Sequence, residues 1–123
     1  MLPSMRGAPD DGSGSVLAVA IIAGVLCLMA MLLPLQLALA RGQAVIGAAD
    51  AAALAAADVR SGAVAGVPCD AAASVARAND ATLVACEVDG LVVTVVVAGS
   101  FAGLPLRGAA TAGPPPESAS SIP

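Results

Sequence analysis

Hydrophobic and polar positions divide this chain into stretches of very different texture. From Val16 to Ala40 the run VLAVAIIAGVLCLMAMLLPLQLALA carries no charged residue. At about 1.5 Å per residue it makes roughly 37 Å of helix, enough to cross a ~30 Å hydrocarbon core with some tilt. The competing assignment is a buried core helix, and a chain of 123 residues has no core wide enough to hide it on all sides. Residues 16–40 are therefore read as a transmembrane helix. Within it Ala20 and Gly24 form a small-xxx-small pair that lets another helix approach closely. Pro34 removes one ladder hydrogen bond and predicts a kink, and Cys27 serves as a small apolar filler.

The helical pattern continues past the charge-free run. Residues 41–60, RGQAVIGAADAAALAAADVR, are rich in Ala, the best helix former, and no Pro interrupts before Pro68. Val45, Ala49, Ala52, Ala56 and Val59 recur at three- and four-residue spacing and predict a slim face of small residues. Asp50 and Asp58 share another face. One continuous or gently broken helix is expected from about Val16 to Val59.

Beyond it the pattern changes period. Ser61 to Pro68 reads as a loop, and Asp70 is placed to cap a short helix, Ala71 to Ala78, with Ala71, Val75 and Ala78 inward and Asn79 as its left-handed stop. Two β-rich runs follow, Thr82–Val88 and Leu91–Ala98. Asp89-Gly90 between them is a strong hairpin signal. Pairing across that turn sets Val88 against Leu91, Cys86 against Val93 and Val84 against Val95 on one apolar face, which should cover the short helix. Glu87, Ala85 and Leu83 take the other face with Val92, Thr94 and Val96. A third strand is available within Leu106 to Ala112. The fold class is thus α+β, with a small extracytoplasmic domain over residues 61–112.

The flanks are polar or rich in Pro and Gly. Residues 1–15, MLPSMRGAPDDGSGS, are expected to be a disordered leader, and residues 113–123 a disordered tail. Ser13 or Ser15 could cap the helix start. Gly12 and Gly14 mark an accessible step that reads either as plain linker or as a processing site.

Composition narrows the chemistry. The chain is 59% hydrophobic with one aromatic residue, Phe101, and it lacks His, Trp, Tyr and Lys. Five dispersed Arg and a net charge of −4 leave no basic stripe for nucleic acid. Any general base would have to be a carboxylate, and no close Asp/Glu pair sits in a cleft-forming context; Asp10-Asp11 lies in the polar leader. No phosphate-cradling GxxxxGK[ST] occurs, and three Cys without His make a poor metal set. The expectation is a non-enzyme with no catalytic, cofactor-binding or metal-binding residues and no cofactor.

Cys69 opens the short helix and Cys86 faces it from the apolar side of the hairpin. They are either two buried thiols or a disulfide, and the disulfide is the preferred reading. Closing the loop between them would contribute about 3 kcal/mol, a large share for so small a core. A disulfide requires an oxidising compartment. Charge leaves orientation ambiguous, because Arg6 precedes the span with Asp10 and Asp11 nearby while Arg41 and Arg60 follow it. The cysteines and the folded C-terminal portion favour a single-pass protein of the cytoplasmic membrane, N-terminus inside and C-terminal domain outside.

The DGSGSVLAVAI entry, the long apolar helix and then VIGAADAAALAAADV resemble the TadE/TadG-like proteins of Flp (tight adherence) pilus assembly. The family's "AADAAALAAA" signature is matched from Ala48 to Ala57. The later order (Cys69, Ala78-Asn79, Leu83 to Val88, Leu91 to Val97) is similar to short TadE-like proteins of high-GC actinobacteria. The resemblance covers roughly Asp10 to Pro114. It implies a pseudopilin-like role: a membrane-anchored, structural component of a pilus or secretion assembly. Its implied partners are membrane lipid, other assembly subunits, a separate ATPase and a platform protein, with a possible homo-oligomer through helix packing. One departure is that many prepilin-type sequences carry a Glu a few residues into the apolar helix, whereas Leu17 to Ala20 are all apolar. That weakens the case for cleavage at Gly12 or Gly14 and removes a buried carboxylate that would guide subunit docking.

Two other readings compete. In one, Met1 to Ala40 is an export signal with Ala38-Leu39-Ala40 as its A-x-A site, releasing a small secreted disulfide-bearing protein that begins at Arg41. Against it, the apolar run exceeds the usual length and two Asp precede it. In the other, the chain is a small membrane subunit that binds a larger complex through the Ala20/Gly24 face, with no pilus connection.

Overall fold

The computed structural model describes residues 12–116. The expected leader, apart from its last four residues, and the end of the expected tail lie outside the described residues. The order of elements is α1 (Ser13–Arg60), α2 (Pro68–Ala78), β1 (Thr82–Asp89), β2 (Val92–Phe101) and β3 (Leu104–Ala112). The fold is α+β, as the patterning predicts, and the third strand is present. The chain divides into two compact units, Met1–Leu37 and Ala38–Pro123, with α1 contributing to both.

α1 is one helix of 48 residues and runs through Pro34 without interruption. It starts at Ser13, three residues before the apolar run. The Ser15 hydroxyl donates to the Gly12 carbonyl at 3.0 Å, inside the first turn, instead of capping an orphan N–H. At the other end the Ala63 N–H reaches back to the Asp58 carbonyl and the Gly62 N–H to Val59, the paired bonds of a Schellman stop. Gly62, at φ 84°, supplies the left-handed residue that this motif requires.

α2 starts earlier than expected. Pro68 occupies the first helical position, where its fixed φ and missing N–H cost nothing, and Val67 before it is extended. Asp70 therefore sits inside the first turn, favourable to the helix dipole, and is not the N-cap. Starting at Pro68, the helix buries Ala72 and Ala76, while Ala78 is exposed and Ala71 and Val75 only half-buried. The expected inward face is rotated accordingly. The helix closes by a second Schellman stop, Ala81 to Ala76 and Asp80 to Arg77. Asp80 takes the left-handed position at φ 56°; Asn79 does not, and its side-chain amide donates to the Val75 carbonyl.

The strands form an antiparallel meander, β1-β2-β3. The first hairpin turns through Gly90-Leu91, with Asp89 paired to Val92, Val88 to Val93 and Cys86 to Val95. The register is shifted by two residues from the expected Asp89-Gly90 turn. Gly90, at φ 60°, provides the positive φ at the first central position that a type II′ turn needs. A two-residue shift preserves faces, so Val93 and Val95 still point inward beside Cys86. A bulge between Leu83 and Ala85 then swaps the faces, turning Leu83 toward the core and leaving Val84 exposed.

The core of the second unit lies between the sheet and the Ala-rich part of α1. Ala48, Ala49, Ala52, Ala53 and Ala56 are buried with Val93, Val95 and Val97, joined by Ala72 and Ala76 of α2. The expected cover for the apolar sheet face was the short helix; the Ala-rich helix shares that role. Small side chains let the helix approach the sheet closely. A Cβ on Gly108 would lie 2.9 Å from the Val45 carbonyl oxygen, and one on Gly99 would lie 2.7 Å from Val45 Cγ2.

Candidate functional site

Candidate function in this chain rests on surfaces, because its reactive inventory is sparse. Among the described residues no three of His, Cys, Asp or Glu gather to hold a metal ion. Asp50 and Asp58 are exposed, and neither carboxylate has a hydrogen-bond or ion-pair partner among the described residues.

The first surface is the apolar part of α1. Its large side chains, among them Val16, Ile22, Leu26, Met29 and Leu33, are all exposed, and none of its most apolar 18-residue window is buried. A helix that is apolar all round and bare all round is not solvated by its own chain. This one is long and apolar enough to span a membrane and lies near the N-terminus. Ala20 and Gly24 sit one turn apart on it, and a Cβ on Gly24 would meet nothing within 4 Å, so no helix among the described residues lies against that step. Cys27 is a free, exposed cysteine on the same segment. Gly12 occupies the turn before α1 and Gly14 its first turn, so the backbone at Gly14 is already helical.

The second element is the staple. Cys69 and Cys86 form a disulfide, with Cα atoms 5.9 Å apart and a sequence separation of 17. It fastens the first turn of α2 to the middle of β1. The preferred reading of the two cysteines holds although α2 starts earlier than the patterning puts it, since Cys69 still lies at its N-terminal end and Cys86 on the inward side of β1.

Two arginines carry roles that sequence reasoning missed. The Arg41 guanidinium donates to the Asp80 carbonyl at 2.8 Å and to the Ser100 carbonyl at 3.4 Å. Arg60 donates from Nε to the Gly90 carbonyl at 2.6 Å. The Ala-rich segment is thus tied at one end to the stop of α2 and the end of β2, and at the other to the first hairpin turn. The available signal was position: Arg41 and Arg60 stand at the two ends of the Ala-rich stretch.

The third surface is an open trough beside β3. Asp50, Ala53 and Leu54 of α1 form one wall, and Ala110 to Gly113 the other, around about 440 Å³. A second depression continues it along Leu54, Ala57 and Asp58 toward Leu91 and Pro114. Leu54 stands between the two and is 60% exposed. Compared with known proteins, the chain matches no protein-family model, no curated protein and no solved structure.

Proposed function

We propose that this chain is a membrane-anchored, TadE-like structural component of a Flp- or tight-adherence-type pilus or secretion assembly. It acts by position and contact, not by catalysis. The observation that carries the reading is one continuous helix whose first part is bare and apolar and whose second part holds a disulfide-stapled domain. The bare part suits lipid. The disulfide suits an oxidising compartment, so the orientation is N-terminus inside the cytoplasmic membrane and Cys69–Cys86 outside it. The AADAAALAAA match from Ala48 to Ala57 supplies the family link. Lipid, neighbouring subunits, a separate ATPase and a platform protein are the partners, and the Ala20/Gly24 step is open to a second helix.

A secreted form cut after Ala40 is the second reading. In its favour, the second compact unit begins at Ala38 and its tertiary side-chain bonds begin at Arg41. Intact mass of the protein recovered from cells separates the two, with membrane and supernatant fractions kept apart and thiols alkylated before reduction. The anchored reading expects a membrane species that retains residues 16–40 and has two cysteines protected from alkylation. A soluble species starting at Arg41 would replace it with the secreted protein.

A further inference from the structure

The side chains along one wall of the trough beside β3 are spaced like those of an extended chain. Asp50, Leu54 and Asp58 follow one another at four-residue intervals along α1, about 6 Å apart at ~1.5 Å per residue. Alternate residues of a β-strand repeat every ~6.6 Å. A strand laid along β3 would therefore present one side chain to each of these three residues in turn.

The edge of β3 is able to receive it. In a two-residue hairpin the pair that closes the loop exchanges both hydrogen bonds, and bonded and non-bonded pairs then alternate. Phe101 and Leu104 close the second hairpin. The backbone groups of Pro105, Arg107, Ala109 and Thr111 consequently point to the open edge, where Pro105 has no N–H to lose. The start of β3 carries Pro and Arg, which discourage pairing, but residues 108–113 carry no charge, no Pro and no bulge. The opposite edge strand, β1, has a bulge and two acidic residues, Glu87 and Asp89.

Charge selects the occupant. The trough holds two carboxylates that have no partner among the described residues, flanking an apolar centre made by Leu54, Ala53 and Ala112. The chain's own last seven residues, ESASSIP, contain an acid and no base. A second copy would bring either β1, which is acidic, or β3, whose two-fold pairing would set the aspartates of both copies against each other. We infer that the trough and the β3 edge bind an extended segment of a different polypeptide, added as a fourth strand, with the pattern basic-x-apolar-x-basic. Its basic side chains meet Asp50 and Asp58, its apolar residue meets Leu54, and its backbone pairs with Ala109 and Thr111. This inference stands independently of the membrane reading.

The test is fluorescence anisotropy with the full chain in detergent micelles and labelled Thr-Arg-Thr-Val-Thr-Arg-Thr. The probe is compared with a counterpart carrying Glu in place of both Arg. The Arg peptide should bind roughly fivefold more tightly, the scale of two exposed ion pairs. Asp50→Asn with Asp58→Asn, surface changes that leave the core intact, should erase that preference. Ala109→Pro, at a position whose N–H faces outward, should remove binding of both peptides while far-ultraviolet circular dichroism is retained. Equal affinities for the two peptides in the native protein overturn the proposal, as does preference undiminished in the Asn variant. Self-association that excludes the peptide also overturns it, by assigning the trough to a second copy.

Discussion

Val16 to Leu37 and Arg41 to Arg60 belong to one helix and are both apolar, yet they are treated in opposite ways. The first stretch has Leu, Ile, Val and Met on every side, and its large side chains are all exposed. The second has Ala at nine of its twenty positions, and its inward face is sealed to within about one percent. The difference teaches that hydrophobicity alone does not decide what a helix packs against. Large side chains all round leave no direction in which the chain's own sheet could cover them. A narrow face of methyl groups lets a sheet come close enough for Gly99 and Gly108 to touch Val45.

The comparison can be broken most severely at the disulfide, the one covalent tie confined to the second stretch's unit. Replacing Cys69 and Cys86 with Ala should cost about 3 kcal/mol, a fall of roughly 15 °C in melting temperature. Thermal melts followed by circular dichroism at the sheet signal would read it, and an unchanged melt would show that packing alone sustains the unit. A matched pair sharpens the contrast further. Ala52→Leu, a larger side chain at a fully buried position, should cost about 2 kcal/mol through overpacking. Leu26→Ala, a smaller one at a bare position, should stay within about 0.5 kcal/mol in the same melt. Equal costs would mean that the two stretches are not solvated differently.

The smallest change should be a gain. Ala102 and Gly103 turn the second hairpin with φ of 50° and 79°, the signs of a type I′ turn. Ala pays a steric cost there that Gly avoids, so Ala102→Gly should add up to about 1 kcal/mol to the melt of the second unit. No gain would indicate that lost chain entropy cancels the relief.

Much of this architecture was legible because it depends on local chemistry. Leu and Ala runs give α1, β-rich runs on either side of Asp89-Gly90 give the first two strands, and Pro68 to Asn79 brackets α2 within a few residues. The hairpin register departs from the one the pattern predicts because Asp89-Gly90 is a strong type I′ signal, whereas here Gly90 stands first in the turn and Leu91 second. Faces survived that error, since a slip of two residues restores them, until the bulge at Leu83/Ala85 reversed the remainder. Arg41 and Arg60 could not be assigned from sequence. Their acceptors are backbone carbonyls, 39 and 59 residues from Arg41 and 30 from Arg60, and no side-chain pattern announces a carbonyl. The spacing of Asp50 and Asp58 was visible, but its match to a strand emerges only once β3 lies alongside.

The alanine core also shapes the unit's response to temperature. Its buried hydrophobic side chains, among the described residues, are nine Ala and four Val. Ala surrenders no rotamer freedom on folding and β-branched Val little, so ordering this interior costs far less side-chain entropy than one built of Leu and Met. The same residues expose little apolar area on unfolding, which keeps the heat-capacity increment small. A small increment flattens the dependence of stability on temperature. The domain should therefore hold its modest stability nearly constant across a wide thermal range and resist unfolding in the cold.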